Sequence, residues 1–194
     1  MLAAAVGGPQ ALGNQGAGVF AGDSAVNDTI GGAGSGAGNI IDANGGAGVL
    51  IGTSATDSGT HTAVQGNLIE ANGGLGIDLA PSGAVNCSST PPGPNDYVPC
   101  PVIATATTTK VTGHACANCL IEIYLAAPAT DDQGHGEAAA LLATTTAAAN
   151  GNWTAALSSG QLSSGASVTA TATAPASFQT AAESSEFSLN VTAS

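Results

Sequence analysis

The strongest constraint in this sequence is an internal repeat. Gly38-Asn39-Ile40-Ile41-Asp42-Ala43-Asn44-Gly45-Gly46-Ala47-Gly48-Val49 returns 28 residues later as Gly66-Asn67-Leu68-Ile69-Glu70-Ala71-Asn72-Gly73-Gly74-Leu75-Gly76-Ile77, with eight of twelve positions identical. A shorter copy, Asn14-Gln15-Gly16-Ala17-Gly18-Val19, lies 30 residues before Asn44. A unit that recurs at a fixed period cannot bury its apolar face alone and must lie against its neighbours. The apolar runs inside the unit are too short for a helix, lack helical periodicity, and are broken by Asn-Gly and Gly-Gly corners. The unit therefore reads as one layer in a stack of short parallel strands, with layers about 4.8 Å apart.

Stacking turns repeat positions into columns. Ile41 is expected over Ile69 and Val49 over Ile77, filling the interior. Asn39 is expected over Asn67 and Asn44 over Asn72, where side-chain amides bond to one another and to corner backbone. Composition agrees with many turns and short strands rather than long helices: 28 glycines, and an apolar content dominated by Ala and Val with only 3% aromatic residues.

Charge excludes whole classes of partner. Lys110 is the one basic side chain against 13 acids, for a net charge of -12. Phosphate-backbone binding needs Lys and Arg to release counterions, so nucleic acid is excluded, and an anionic membrane surface is disfavoured. No apolar run approaches the roughly 18 residues of a membrane span. Residues 1–6 are apolar but too short for a secretory signal and lack a basic start. The expectation is an exported chain whose signal was removed, and a fragment of something longer. Low charge density and four cysteines point to an extracellular or cell-surface location. Four cysteines allow three pairings; proximity favours Cys87–Cys100 and Cys116–Cys119.

The texture changes twice after the repeats. Residues 81–101 hold six of the nine prolines and read as a linker stapled by Cys87 and Cys100. Beyond it, short β-rich runs are expected at 102–106, 110–113, 120–125, 141–146, 153–157, 168–174 and 186–192, with a hairpin turn at Asn150-Gly151-Asn152. In 120–125, Ile121, Ile123 and Leu125 alternate with Glu122 and Tyr124, which predicts an inner apolar face and an outer polar one. Three segments follow: parallel coils over 1–80, the linker over 81–101, and a seven-strand sandwich over 102–194.

The motif Gly-Asn-x-Ile-x-x-Asn-Gly-Gly-x-Gly-Val/Ile, followed by Ile77-Asp78-Leu79, resembles the repeats of right-handed parallel β-helix (pectate-lyase-like) surface proteins. The C-terminal part resembles the immunoglobulin-like module that follows the last coil in such proteins. The residues that carry this second likeness are Val111-Thr112-Gly113, Cys116-Ala117-Asn118-Cys119, Ile121-Glu122-Ile123, Gly134-His135-Gly136-Glu137 and Glu183-Ser184-Ser185-Glu186-Phe187-Ser188. The resemblance implies an all-β chain: a short right-handed parallel β-solenoid followed by an immunoglobulin-like β-sandwich. It implies little about activity, because folds host many functions.

Candidate chemistry is sparse. Asp42 and Glu70 share a repeat column, which on adjacent layers would set two carboxylates about 5 Å apart, the separation of a retaining glycosidase pair. The plainer reading is two solvated turn residues; a bridging calcium ion is the third. A lyase base is missing, since the repeats contain no Lys or Arg and their one histidine, His61, falls in a polar loop. Cys116-x-x-Cys119 beside His114 would be half a zinc site, but no second half exists, and a disulfide closing a tight turn is the better reading. Asp131, Asp132 and Glu137 cluster in one glycine-containing loop, a calcium candidate set against an ordinary solvated loop. The sequence therefore leads to a structural or adhesive surface protein with no catalytic site; an uncapped strand edge points either to self-association into filaments or to an edge that missing coils of a longer parent would cover. A surface glycan is the other partner class, and a fragment of a carbohydrate-active protein is the alternative.

Overall fold

Three sets of short parallel strands carry the repeats in the computed structural model, which describes residues 12–22, 25–57, 61–83, 86–127, 133–176 and 182–194. Strands β1 (Val19–Ala21), β4 (Val49–Ile51) and β7 (Ile77–Leu79) form one sheet, with Val19 paired to Val49 and Val49 to Ile77. Strands β2 (Asp28–Gly31) and β5 (Thr62–Gln65) form a second. In the third pair, β3 (Ile40–Asp42) lies on β6 (Leu68–Glu70), with Ile41 on Ile69. Successive copies are thus in register at the repeat offset, and Ile41, Val49, Ile51, Ile69, Ile77 and Leu79 are buried together.

The amide columns also form. Asn44 Oδ1 accepts the Asn14 N–H at 2.9 Å. Asn72 Oδ1 accepts both the Asn44 N–H and its side-chain amide, at 3.2 and 2.8 Å. Asn67 Oδ1 likewise accepts the Asn39 N–H at 2.9 Å and the Asn39 amide at 3.0 Å. Each repeat therefore supplies at its corner an acceptor for the copy before it.

The remaining strands are antiparallel. Strands β8 (Val102–Thr107), β9 (Lys110–His114) and β12 (Asn152–Ala156) make one sheet. Strand β10 (Leu120–Ala126) pairs with β11 (Ala138–Thr146) and β13 (Ser167–Ala174). Strand β13 also pairs with the short strands β14 (Glu183–Ser184) and β15 (Val191–Thr192). Between these two sheets lies a core that includes Val111, Cys119, Ile121, Ile123, Trp153, Val168 and Ala170. Asn150-Gly151 does turn the chain, with Gly151 at φ +81°, but it carries it from β11 into the other sheet rather than closing a hairpin.

The chain is all-β, as the sequence implies, but the resemblance to a right-handed parallel β-helix followed by a separate module is overturned. The parallel sheets never exceed three strands. The β3–β6 pair is not a sheet of its own: Ile69 of β6 pairs antiparallel with Ala138 of β11, which makes one mixed seven-stranded sheet, β14-β13-β10-β11-β6-β3 with β15 beside β13. A second core unites Ile41, Val49, Ile69 and Ile77 with Tyr124, Ala138 and Phe187 from the far end of the chain. The physical reason is that a three-layer stack leaves an apolar and hydrogen-bonding face exposed, and the antiparallel strands supply the surface that covers it.

Ile69 sits at the centre of this arrangement, 1% exposed and in the strand that joins both halves. Ile69→Ala is expected to cost about 2–5 kcal/mol in urea denaturation, and Ile69→Asp to abolish the cooperative transition, since no partner there compensates a buried charge.

Candidate functional site: a sealed strand edge

The last layer of a strand stack presents a row of backbone N–H groups with no following layer to accept them. Here side chains accept them instead. The Thr62 N–H donates to Asn95 Oδ1 at 2.9 Å, Val64 to Ser184 Oγ at 2.9 Å, and Gly66 to both carboxylate oxygens of Glu122 at 3.0 and 3.2 Å. Their spacing of two residues is that of the outward-facing donors of one strand edge. The Asn72 N–H donates to Glu137 Oε1 at 2.9 Å, and the Leu79 N–H to Glu186 Oε1 at 2.9 Å. Glu186 Oε2 accepts the Asn86 N–H at 2.6 Å, so one carboxylate ties the stack to the segment that leaves it.

Two of these groups imitate a further repeat. Gly18 lies against the side chains of Ile41 and Asn44, and Gly48 against those of Ile69 and Asn72. Gly76, next in the column, lies instead against Phe187 and Glu137. Glu137 takes over the asparagine's work as well, since its Oε1 accepts the Asn72 side-chain amide at 2.9 Å in addition to the backbone N–H. A Cβ on Gly76 would approach the Phe187 ring to 2.8 Å, so a side chain at this position would push the seal off. Phe187 is held from behind by Tyr124 in an edge-to-face contact, 5.8 Å between centroids.

The seal is acidic and buried. Glu122 and Glu137 are fully buried, and Glu183 and Glu186 nearly so. Burial pushes the Glu186 carboxyl up to about 7; its two backbone donors pull the other way, and the nearby Asp78 adds to the rise. Glu122 is raised by burial against the pull of the Gly66 N–H and the Tyr124 hydroxyl, which donates to it at 3.1 Å. Asp78 is raised by burial as well, although Gly83 and Ser82 donate to it.

The residues singled out by the sequence fall elsewhere or in another role. Asp42 and Glu70 are neighbours in register on β3 and β6, the first exposed and the second half-buried. Asp131 and Asp132 lie outside the described residues. Glu137, expected in a solvated loop with them, is fully buried and bound to Asn72. Cys87–Cys100 and Cys116–Cys119 are disulfides, compatible with an extracellular location. Glu122 and Tyr124, expected on an outer face, are buried against the repeats, and of the run 186–192 only Val191–Thr192 pairs as a strand, leaving Glu186 and Phe187 turned into the seal. The available signal was charge: in a chain with one Lys, the acid inside Ile-Glu-Ile-Tyr has few basic partners to meet, and buried here it takes a backbone N–H and a hydroxyl instead.

No helix among the described residues is long and apolar enough to cross a membrane. No protein-family model matches this chain, and no curated protein matches it.

The seal makes two predictions. Glu137→Gln retains an acceptor for the Asn72 donors and is expected to be mild, whereas Glu137→Ala strands the buried Asn72 N–H, the Asn72 amide keeping the Ile41 and Glu70 carbonyls, and is expected to cost about 1–3 kcal/mol in chemical denaturation. The second concerns pH. The Glu186 carboxyl titrates near its ordinary 4.5 when unfolded and at about 7 when folded. Between these values the folded chain holds a proton that the unfolded chain has released, so raising the pH favours unfolding. The melting temperature is expected to fall from pH 5 to 7.5, with a flatter profile for Glu186→Gln by scanning calorimetry.

Proposed function

We propose that this chain is a structural module of an extracellular protein, in which antiparallel strands terminate a stack of β-repeats at one end while the other end pairs with a second copy of the chain. The observation that carries this reading is the contrast between the two edges. The last layer has its donors answered by Asn95, Glu122, Glu137, Ser184 and Glu186. At the first layer, β1, β2 and β3 each have a strand partner on one side only among the described residues.

The first layer also has the chemistry of a pairing edge. Leu12, Phe20, Val26 and Ile40 are the exposed large apolar side chains of the repeats, at 97, 53, 47 and 70% exposure. No Lys or Arg guards it, and no proline interrupts β1–β3. Asn14 supplies the next corner acceptor of the amide column, and its Oδ1 has no donor among the described residues. A second copy is the favoured occupant because it presents the same complementary edge. With the opposite end sealed, pairing of like edges is isologous and closes as a dimer. That replaces the head-to-tail filament suggested by the sequence, which needs two open ends.

Light scattering over a range of protein and salt concentrations tests the reading. The net charge of -12 opposes association until salt screens it, so a dimer is expected to appear as salt and concentration rise, and to be lost in Phe20→Lys/Ile40→Lys. A wild-type chain that stays monomeric throughout, or one that grows into polymers, overturns it.

A further inference from the structure

Three side chains from separate segments converge beside the seal. His61 immediately precedes β5, Glu183 lies in β14, and Asp96 lies in the tight turn Pro94–Tyr97. One ligand atom from each lies within 4.8 Å of the other two. We propose that His61, Asp96 and Glu183 bind one divalent cation of the zinc class, which pins the seal to the last repeat layer.

The first argument is charge. Two carboxylates meet here with one imidazole between them. The chain's single Lys is on β9, in another sheet, and there is no Arg. Glu183 is 4% exposed, so water does not screen it fully. Like charges so placed are held together by a proton or by a cation.

The second argument is geometry. His61 Nδ1 pairs with Glu183 Oε1 at 2.5 Å, and an Asp96 carboxylate oxygen lies within 4.8 Å of both. Ligands around a four-coordinate zinc lie about 3–3.5 Å apart, so small side-chain rotations open the His61–Glu183 contact and close the third ligand in. One imidazole and two carboxylates form a mixed nitrogen and oxygen donor set, which suits zinc better than calcium.

The third argument is strain. Asn95, Asp96 and Tyr97 have φ of 48°, 45° and 46°, three consecutive residues in the left-handed region without a glycine. Such backbone is strained and persists only where its surroundings hold it. The surroundings do so: Asn95 bonds to both the N–H and the carbonyl of Thr62 and to the Ser184 carbonyl, and the Tyr97 hydroxyl donates to the Ala80 carbonyl at 2.8 Å. The turn is thus locked to the same strands that carry His61 and Glu183, which presents Asp96 to both. The other group of metal-type ligands, Cys87, Cys100 and Glu186, has its sulfurs joined in a disulfide and offers no thiolate.

The test is titration of the full chain with zinc chloride by calorimetry, alongside thermal melting. One equivalent is expected to bind, and at about 100 times the dissociation constant the unfolding equilibrium shifts about 100-fold toward the folded state. Binding is expected to weaken at least tenfold in His61→Ala and in Asp96→Asn, and to remain unchanged in His114→Ala. Should the site variants not fold, anomalous scattering from zinc-soaked wild-type crystals gives the answer: a peak among His61, Asp96 and Glu183 supports the site, and a peak only elsewhere overturns it. Absence of binding, binding indifferent to the site variants, or stabilisation by calcium with none by zinc also overturns the proposal.

Discussion

The fold depends on how the backbone donors at the far edge of the repeat strands find acceptors. A buried N–H left without a partner costs about 1–3 kcal/mol, and the edge offers Thr62, Val64, Gly66, Asn72 and Leu79. Their loss together would equal the whole stability of an ordinary domain, about 5–15 kcal/mol. The antiparallel strands are therefore not an appendage to the repeats. They provide the acceptors, and with Phe187, Tyr124 and Ala138 they also provide the apolar wall of the repeat core.

Carboxylates are a costly choice of acceptor, since burying one lifts its pKa and surrenders hydration. Their advantage is two oxygens on one stem. Glu186 spans the Leu79 and Asn86 donors, and Glu122 meets Gly66 with both oxygens while taking the Tyr124 hydroxyl. An amide in either place would turn its NH2 toward a donor. A chain almost without Lys and Arg also gives these acids no competing ion pair, which keeps them available to backbone. The scarcity of basic residues, which in the sequence argues only about partners, thus has a structural use.

The sequence was most legible where its chemistry is periodic. The copy offset placed Ile41 on Ile69, Val49 on Ile77 and Asn44 on Asn72, because column stacking is the only arrangement that buries all copies alike. Most antiparallel strands were legible to within a few residues from their alternation. What stayed hidden is the contact between the halves. Alternation in Ile121-Glu122-Ile123-Tyr124 reports that the two faces of β10 differ, and a polar face is read as wet by default. Which face meets water depends on β6 lying beside β11, a pairing of Ile69 with Ala138 that no local pattern encodes. Glu137 is hidden for the same reason: its acidity suits a loop, and its burial depends on Asn72 lying opposite it.

The point where the stack stops is nevertheless written into the repeat itself. One column of the first sheet runs Phe20, Leu50, Asp78. The first two are apolar and at least partly exposed, as suits a position that faces outward from a layer with further chain stacked beside it. The third is an acid, 1% exposed, whose carboxylate accepts the Ser82 hydroxyl at 3.0 Å and the Gly83 N–H at 2.8 Å. That change turns the chain out of the stack immediately after β7, toward Asn86, whose N–H then meets Glu186. The substitution that breaks the column is thus the one that brings the leaving segment under the seal. A row of backbone carbonyls would accept a strand in several registers, whereas discrete side chains at fixed spacings fit only this edge, so the same residues that end the stack also fix where the antiparallel half docks.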